Sequence, residues 1–329
     1  MDKVRGVRWL GSSNSIFMKI FVSGSLAYDR IMNFPGRFSE HILPEKIHNL
    51  NISFPLETFT ENFGGTAGNI AYNLALLGEK PVVLATVGND FEPYRVWMEK
   101  NGIDPAMIKV IPEEKTSFCY IITDRSDNQI TAFYPGAMKY PGNEIDKGSI
   151  DNALAIIAPG HPAGMKQYVD FYKENKIPYI YDPGQQITVI DSNDLIGGIS
   201  AARVFISNDY ELAMVAQKTG FNESDILEKV EILITTRGDK GCIIKTKDKV
   251  FEIPIAKPEN TSDPTGAGDA FRAGFIKGMV LGLPLEVCGR LAATVAVYTV
   301  EKYGTQTHSF TMEELKERYK QNFGEEVEV

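Results

Sequence analysis

The chain has 329 residues, of which 43% are hydrophobic and 23% charged, so it is long enough to bury a large core. Its formal net charge is −9, and an acidic chain without a basic run lacks the positive patch that binding to nucleic acid or to an anionic membrane requires. No apolar run reaches the roughly 18 residues that a membrane span needs. The widely spaced Cys119, Cys242 and Cys288 form no zinc or disulfide motif, so a reducing cytoplasm fits the composition best.

Residues 1–17 precede the first recognisable element. The segment is basic, but it has neither the apolar stretch nor the cleavage site of a secretory signal. Met18 leads directly into a strand-like run and reads like a natural chain start. We expect residues 1–17 to be a disordered N-terminal extension.

From residue 20 onward, short apolar runs alternate with amphipathic segments. The strand-like runs, rich in β-branched residues, cover residues 20–24, 81–88, 154–160, 178–184, 203–208 and 231–238. Helix-like segments between several of them cover residues 68–78, 94–102, 165–175 and 210–220. This alternation predicts an α/β fold with a doubly wound, mostly parallel central sheet and helices on both faces. In such a sheet the functional loops gather at the carboxyl edge.

Two stretches, residues 46–60 and 116–134, alternate apolar and polar side chains instead. Alternation of this kind indicates a half-buried antiparallel sheet, here with a hairpin-like turn at residues 124–128. We therefore predict a small β lid over the carboxyl edge, which would exclude water from a transferring group; a surface hairpin without such a role is the alternative. The predicted boundaries are residues 31–60 and 116–134 for the lid and residues 18–30, 61–115 and 135–329 for the α/β domain.

Polar residues follow the first strand and open the first helix-like segment. Asp29 lies just beyond the carboxyl edge, where a carboxylate can accept hydrogen bonds from two vicinal hydroxyls, as in a ribose. Gly65 allows the backbone to approach a sugar closely, and Asn69 can form a hydrogen bond with it. Taken singly, these residues are explained better as a surface aspartate and a polar helix face.

Two aromatic residues, Phe118 and Phe133, lie on the predicted lid strands, and Gln185 and Gln186 follow the fourth strand-like run. Two aromatic rings can sandwich a planar base, while a carboxamide reads its exocyclic amine and ring nitrogen. Aromatic residues in such places more often serve packing, so packing is the alternative.

Two polar turns follow the last two strand-like runs. Asn208 and Glu211 are three residues apart on one face of a starting helix, where an amide and a carboxylate can hold hydrated Mg²⁺; a capping box gives the same pattern. Thr236, Gly238 and Gly241 form a tight turn whose backbone can approach a nucleotide, with a plain hairpin turn as the alternative.

Residues 263–269, with the sequence DPTGAGD, place a glycine-rich turn directly before a helix-compatible run. Gly266 and Gly268 permit positive φ, so that the amides from Thr265 to Asp269 can point at an anion at a helix N-terminus. Positioned dipoles suit phosphoryl transfer, whose loose transition state needs charge stabilisation and alignment. Asp269 then has the position of a general base for the acceptor hydroxyl, although Asp is also favoured as a helix cap.

Two better-known nucleotide signatures are missing. The chain has no P-loop motif, and the glycine-rich turn lacks the third glycine and the closely preceding strand of a dinucleotide-binding fingerprint. Neither a P-loop protein nor a dinucleotide-binding protein is therefore expected.

Together the motifs resemble those of the ribokinase-like (phosphofructokinase-B type) kinases. The resemblance runs from about residue 19 to residue 307 and rests on the DPTGAGD turn, the Asn-x-x-Glu pair, the Thr-x-Gly-x-x-Gly turn and the Gly-Gly-x-x-x-Asn segment at residues 64–69. It implies a central α/β domain with a β lid, and transfer of phosphate from MgATP to a sugar or nucleoside. Members of the family often pair as homodimers through their lids, and some need K⁺; nothing in the sequence read alone shows either for this chain.

A closer resemblance, to the bacterial adenosine kinases, is carried by residues 34–54, 64–78, 132–138, 182–186 and 208–212. It implies that adenosine and ATP give AMP and ADP by transfer to the 5′-hydroxyl. The site residues that it implies are Asp269 as the base with Gly266, Ala267 and Gly268 as the anion hole; Ser25, Asp29, Gly65 and Asn69 around the ribose; Phe118, Phe133, Gln185, Gln186 and, on the first lid strand, Phe54 around the adenine; and Asn208, Glu211, Thr236, Gly238, Gly241 and Thr265 around MgATP. Val189 departs from the pattern, which predicts an arginine there.

The leading prediction is therefore an adenosine kinase with small-molecule partners. A sugar kinase of the same family, acting on ribose, fructose or a related compound, is the alternative, and the predicted aromatic pair and Gln185–Gln186 argue against it. A non-catalytic nucleoside-binding protein on the same scaffold is a third function, and the intact Asp269 with its anion hole argues against that one.

Overall fold

A computed structural model of the chain describes residues 18–49, 51–126, 128–146, 148, 150 and 152–329. The predicted disordered extension, residues 1–17, lies outside these residues. None of the helices in the described ranges combines the length and the hydropathy that a membrane crossing needs.

The strands divide into a large sheet, a small sheet and one short pair. They are β1 (Lys19–Ser23), β2 (Ala27–Asn33), β3 (Thr58–Gly64), β4 (Pro81–Leu84), β5 (Thr86–Val87), β6 (Lys109–Val110), β7 (Ser117–Thr123), β8 (Gln129–Tyr134), β9 (Ala153–Ile157), β10 (Tyr179–Tyr181), β11 (Val204–Asn208), β12 (Ile232–Thr236), β13 (Cys242–Lys245) and β14 (Val250–Ile253). The large sheet has the order β14-β13-β12-β11-β10-β9-β1-β4. Six neighbouring strands of this sheet are parallel, namely β12, β11, β10, β9, β1 and β4. Strands β13 and β14 extend the sheet as an antiparallel edge.

Helices cover both faces of the large sheet, because its central strands are apolar on both sides. The helices are α1 (Phe38–His41), α2 (Thr66–Leu76), α3 (Glu92–Lys100), α4 (Pro162–Glu174), α5 (Ser192–Ala201), α6 (Asp209–Thr219), α7 (Glu223–Leu227), α8 (Ala267–Val280), α9 (Leu285–Val300) and α10 (Met312–Phe323). In β9, Leu154 and Ile156 pack in one core with α2, α8, α9 and α10. Ala155 and Ile157 pack in a second core with α4, α5, α6 and α7. The predicted doubly wound α/β fold is thus confirmed.

The small sheet consists of β2, β3, β7 and β8, in the order β3-β2-β7-β8. Its strands β7 and β8 form the hairpin predicted around residues 124–128, and the Asp124 carboxylate accepts hydrogen bonds from the Ser126 and Asn128 backbone amides. The sheet differs from a purely antiparallel one, because β2 and β7 run parallel. It also reaches beyond the predicted segments, since β2 already begins at Ala27 and β3 continues to Gly64.

The predicted strand at residues 46–60 is wrong over most of its length. Residues 44–49 form a 3₁₀ helix, and residues 51–56 form a loop without regular structure. Phe54 belongs to this loop and packs against the rings of Phe34 and Phe38, with ring centroids 4.9 and 5.1 Å away. The apolar alternation therefore reflects local aromatic packing, and Pro55, which has no amide hydrogen, interrupts strand pairing directly after it.

Candidate active site

The glycine-rich turn ends at the first residue of α8. Gly266 precedes the helix with φ of 79°, a left-handed conformation that favours glycine, and its carbonyl accepts the first helical hydrogen bond from Ala270 at 2.9 Å. The amides of Thr265 and Ala267 are used within the turn, by the Asp263 carboxylate and the Pro264 carbonyl. The amides of Gly268 and Asp269 belong to the first turn of the helix, where the helix has no acceptor for them and an anion is stabilised.

The Asp269 carboxylate points away from its own helix and contacts α2. The Asn69 side-chain amide donates to Asp269 Oδ2 at 2.8 Å. The N-cap residue of α8 is Gly266, and no side chain forms a capping hydrogen bond there. Burial raises the pKa of Asp269 to about 7, although Arg272 and the Asn69 hydrogen bond lower it. The alternative that Asp269 caps the helix is therefore not realised. A carboxylate with a pKa near neutrality is suited to accept a proton.

A second carboxylate, that of the half-buried Asp29, lies on β2 against a pair of glycines. A Cβ atom on Gly64 would stand 2.2 Å from Asp29 Oδ2, and one on Gly65 would stand 2.6 Å from the Ser25 carbonyl oxygen. Both positions therefore require glycine, which explains the Gly-Gly motif physically. Burial, with a contribution from Asp263, raises the pKa of Asp29 to about 6.

The start of α2 connects the ends of β1, β9 and β10. The Thr66 amide donates to Ser25 Oγ at 3.1 Å, and the Thr66 hydroxyl donates to the Pro159 carbonyl at 3.2 Å. Pro159 in turn touches Gly184, because a Cβ on Gly184 would lie 2.4 Å from the Pro159 ring. The turn that carries the glutamines is thereby held at the same edge as Ser25.

The predicted glutamine pair lies in a 3₁₀ helix, Gly184–Thr188, at that edge. Gln186 is half-buried, whereas Gln185 is exposed. Val189, where the resemblance predicts an arginine, follows directly and is 64% exposed. Of this segment, Gln186 is the better placed to face a bound molecule.

The predicted sandwich of Phe118 and Phe133 is wrong, because the two rings lie on opposite faces of the small sheet. Register pairs Phe133 with Cys119 and Cys119 with Asp29, so Phe133 shares the face of Asp29. Phe118 lies on the other face, where the Arg30 guanidinium stands 4.5 Å from its ring centroid. One ring, Phe133, is thus available on the Asp29 side, and it is 52% exposed.

Phe54 is not on a strand beside this face. It belongs to the aromatic cluster described above, which also includes His41. Its predicted place on the first lid strand is therefore corrected to a loop before β3.

The predicted nucleotide residues lie at the carboxyl ends of β11 and β12, where Asn208 and Thr236 are register partners. Asn208 and Glu211 form a reciprocal capping box: Glu211 N donates to Asn208 Oδ1 at 2.7 Å, and Asn208 N donates to Glu211 Oε2 at 2.8 Å. Gly241 has φ of 76°, and a Cβ there would lie 2.0 Å from the Ile253 carbonyl, so the β12–β13 hairpin itself requires this glycine. Gly238, with φ of 57°, opens the same turn.

Two features of this site have no counterpart among the predicted residues. The Arg272 guanidinium forms a buried bidentate ion pair with Asp182, which follows β10. Nη2 donates to Oδ1 at 2.9 Å, and Nε donates to Oδ2. Gln306, after α9, donates to Asn69 Oδ1 at 3.1 Å. An arginine inside the apolar run DAFRAGF and an aspartate directly after the strand YIY are the signals that mark the ion pair in the sequence.

Histidine, cysteine and carboxylate side chains do not gather in groups of three or more that suit a metal ion anywhere in the described ranges. The predicted Mg²⁺ therefore depends on Asn208 and Glu211. Burial raises the pKa of Glu211, and its Oε2 already accepts the Asn208 amide hydrogen. A carboxylate of this kind suits contact through water with a cation carried in by a phosphate ligand.

The chain is similar to known proteins both in sequence and in structure. The family model described as pfkB family carbohydrate kinase matches residues 24–312. The nucleoside kinase of Methanocaldococcus jannaschii is 34% identical, over 91% of this chain and 96% of that protein, and the nucleoside kinase of Methanothermobacter thermautotrophicus is 31% identical, over 85% and 91%. The structure of Burkholderia thailandensis nucleoside kinase in complex with inosine is similar with a TM-score of 0.83 and 36% identity, covering 94% of this chain and all of that one.

The Asp182–Arg272 pair should dominate the stability of this region. Asp182→Asn leaves a buried guanidinium without its counter-charge, and we expect the free energy of unfolding, measured in urea, to fall by about 3–5 kcal/mol. Asp170→Asn, which breaks the exposed pair of Asp170 with Lys166, is the control and should cost at most about 1 kcal/mol. Asp182→Leu with Arg272→Met should be more stable than Asp182→Asn alone; a double variant that is less stable than the single one would contradict this.

Proposed function

The chain belongs to the pfkB family of carbohydrate kinases, and from this premise we propose that it is a nucleoside kinase that transfers the γ-phosphate of ATP to the 5′-hydroxyl of adenosine. The observation that carries the proposal is the Asp269 carboxylate, which lies beside the helix N-terminus of α8 and receives one hydrogen bond from Asn69. Its raised pKa, about 7, matches the demand on a general base at neutral pH.

In the proposed reaction Asp269 accepts the proton of the 5′-hydroxyl as that oxygen attacks the γ-phosphorus. The new bond joins O5′ to phosphorus, the bond between the γ-phosphorus and the bridging oxygen breaks, and ADP leaves with the electron pair. The amides of Gly268 and Asp269, with Gly266 shaping the turn, stabilise the charge on the transferring group. The chain thus supplies position and charge stabilisation, which is what phosphoryl transfer requires.

The ribose is proposed to bind between β2 and α2. Asp29 accepts hydrogen bonds from its two vicinal hydroxyls, and Ser25 and Gly65 line the approach at the start of α2. Asn69 uses one amide hydrogen for Asp269 and has a second one for the sugar. The arrangement supports a role in which Asn69 contacts both the base and the substrate.

The adenine is proposed to stack on Phe133 and to be read by Gln186, with Gln185 nearer to solvent. The two archaeal relatives at 34% and 31% identity are both named nucleoside kinases, and the Burkholderia structure contains inosine. These names favour a nucleoside over ribose or fructose, the substrates of the alternative sugar kinase. Preference for adenosine over inosine rests on the resemblance to bacterial adenosine kinases.

ATP is proposed to bind as MgATP along the carboxyl ends of β11 and β12. Asn208, Thr236 and the turn from Gly238 to Gly241 would line the nucleotide, Thr265 would approach its phosphates, and Glu211 would contact Mg²⁺ through water. A homodimer through the small sheet and a dependence on K⁺ stay predictions that rest on the family resemblance alone.

Asp269→Asn should lower kcat by roughly 10²–10⁴-fold, because a carboxamide cannot accept the hydroxyl proton. Adenosine binding, measured by calorimetry, should stay nearly intact. Wild-type kcat/KM should fall as the pH drops below about 7, where Asp269 becomes protonated. Asp225→Asn, which changes a half-buried aspartate in the first turn of α7, is the control and should keep wild-type kcat. Wild-type turnover by Asp269→Asn would show that another group is the base.

Phe133→Ala should raise the KM for adenosine by roughly tenfold and leave the KM for ATP near its wild-type value, because base stacking on an aromatic ring is worth about 1–3 kcal/mol. The measurement is steady-state ADP release with each substrate varied in turn. Ile130→Ala is the control, since Ile130 lies on the same strand with its side chain on the opposite face. Equal increases in both KM values would refute the stacking role.

A further inference from the structure

A line of three side chains, beginning at the half-buried Trp97, leads to the Asp269 carboxylate. The Trp97 indole Nε1 donates to Gln306 Oε1 at 3.0 Å, Gln306 Nε2 donates to Asn69 Oδ1 at 3.1 Å, and Asn69 Nδ2 donates to Asp269 Oδ2 at 2.8 Å. Gln306 is 3% exposed and Asn69 4%. Groups of this kind inside a protein must be paired correctly, because a buried amide facing the wrong way loses its hydrogen bonds.

The direction of the hydrogen bonds in this line is fixed at its Trp97 end. An indole nitrogen can only donate, so the atom of Gln306 that faces Trp97 must be the carbonyl oxygen. A second contact demands the same orientation: Tyr94 Oη donates to the Gly64 carbonyl at 2.8 Å and accepts from Gln306 Nε2 at 2.7 Å. Burial raises the pKa of Tyr94, which keeps its hydroxyl protonated and available as that donor.

The orientation of Gln306 then fixes the orientation of Asn69. Because Gln306 presents an N–H to Asn69, the oxygen of the Asn69 amide must face Gln306 and its nitrogen must face Asp269. With the amide reversed, an oxygen would stand beside the carboxylate and repel it. The indole hydrogen of Trp97 thus determines, through two carboxamides, that Asp269 receives a hydrogen bond.

We propose that Trp97 and Gln306 are positioning residues for the base: they hold Asn69 so that it donates to one oxygen of Asp269 and leaves the other to take the hydroxyl proton. This inference rests on the proposed role of Asp269. Neither residue touches the substrate site itself, since both act through Asn69. Their contribution is to the orientation and the proton affinity of the carboxylate.

The line packs closely against the backbone of α2 and against aromatic rings. A Cβ on Gly68, on α2, would stand 2.0 Å from Tyr94 Oη and 3.0 Å from Gln306 Nε2. Gly68 therefore allows Tyr94 and Gln306 to lie directly against the helix that carries Asn69. The rings of Phe63 and Tyr72 flank Trp97, with centroids 5.6 and 6.0 Å away, and keep the indole in place.

Three charged groups outside this line of side chains act on Asp269. Arg272, on α8, lowers the pKa of Asp269, whereas Asp182, after β10, and Asp29, on β2, raise it. His308 lies farther along the network, bonded to Asn73, and burial lowers its pKa to about 4, so it is neutral at the pH of interest. Substitutions at Trp97 and Gln306 leave all of these groups unchanged.

The test compares Trp97→Phe and Gln306→Met with the wild-type full-length chain. Trp97→Phe removes the indole donor and keeps an aromatic ring, and Gln306→Met replaces the carboxamide by an apolar side chain of similar volume. Loss of the hydrogen bond to the charged carboxylate should raise the Asp269 pKa by roughly one unit, read by carbon-13 NMR of the carboxyl group without substrate. The acid limb of kcat/KM should shift upward by the same amount, so that activity at pH 6 falls roughly tenfold, while the KM for ATP is unchanged.

The double variant and a control separate positioning from general damage. Since the two residues act in series, Trp97→Phe with Gln306→Met should match Gln306→Met alone in pKa and in rate. Tyr72→Phe is the control, because it removes a buried hydrogen bond from the same helix, to the His308 carbonyl at 2.7 Å, and keeps the ring that flanks Trp97. It should lower the melting temperature and leave the pH profile unmoved.

A wild-type Asp269 pKa in Trp97→Phe and Gln306→Met would overturn the inference, even if both variants were less stable. A pH shift in Tyr72→Phe of the same size would overturn it as well. The NMR titration needs no substrate, so it measures the effect of Trp97 and Gln306 on the Asp269 pKa even in a protein that phosphorylates no nucleoside. Failure of the proposed function would instead be seen as a wild-type protein without kinase activity.

Discussion

The hydrogen bond from Asn69 to Asp269 joins the starts of the two helices on which the site depends. Asn69 belongs to α2, which begins at the Gly-Gly pair beside Asp29, and Asp269 belongs to α8, which begins at the glycine-rich turn. The proposed substrate side and the proposed phosphate side therefore share this hydrogen bond of 2.8 Å. Any shift of either helix changes the place of the carboxylate relative to both proposed substrates.

The charge around this contact is mostly negative. Asp182 and Asp29 both repel the negative charge of Asp269, and Arg272, which is paired with Asp182, offsets them. Burial accordingly raises the pKa of both Asp29 and Asp269. An uncharged acceptor such as a nucleoside fits this environment better than a phosphorylated sugar would, because a second anion beside the carboxylates would be repelled. In the proposed reaction the phosphate donor carries its own cation, and its γ-phosphate lies against the amides at the start of α8.

Much of the fold and part of the site could be predicted from the sequence, because the relevant signals are local. The strand YIY with the DPG segment after it, and the turn DPTGAGD, are each specified by a few neighbouring residues. The error over Phe118 and Phe133 has a different origin: register decides the face of a strand, and a shift of one residue in the β7–β8 turn reverses it. Hairpin composition indicates a turn but not its length.

The long-range polar contacts could not be predicted at all. Gln306 lies more than 200 residues from both Asn69 and Trp97 in sequence, so no spacing rule connects them. A glutamine after a helix is also an ordinary surface residue in most sequences. Only the packing of α2 against α8 and of the segment after α9 brings these amides together, and α2, α8 and α9 share one of the two cores.

The most direct test of the central claim, that this site phosphorylates a nucleoside, is ADP release measured across adenosine, inosine, guanosine, cytidine, ribose and fructose under one set of conditions with MgATP. We expect the highest kcat/KM for adenosine, other nucleosides to follow, and the free sugars to react weakly. A preference for ribose or fructose over every nucleoside would contradict the claim and identify a sugar kinase. Binding of nucleosides without ADP release would exclude a kinase altogether.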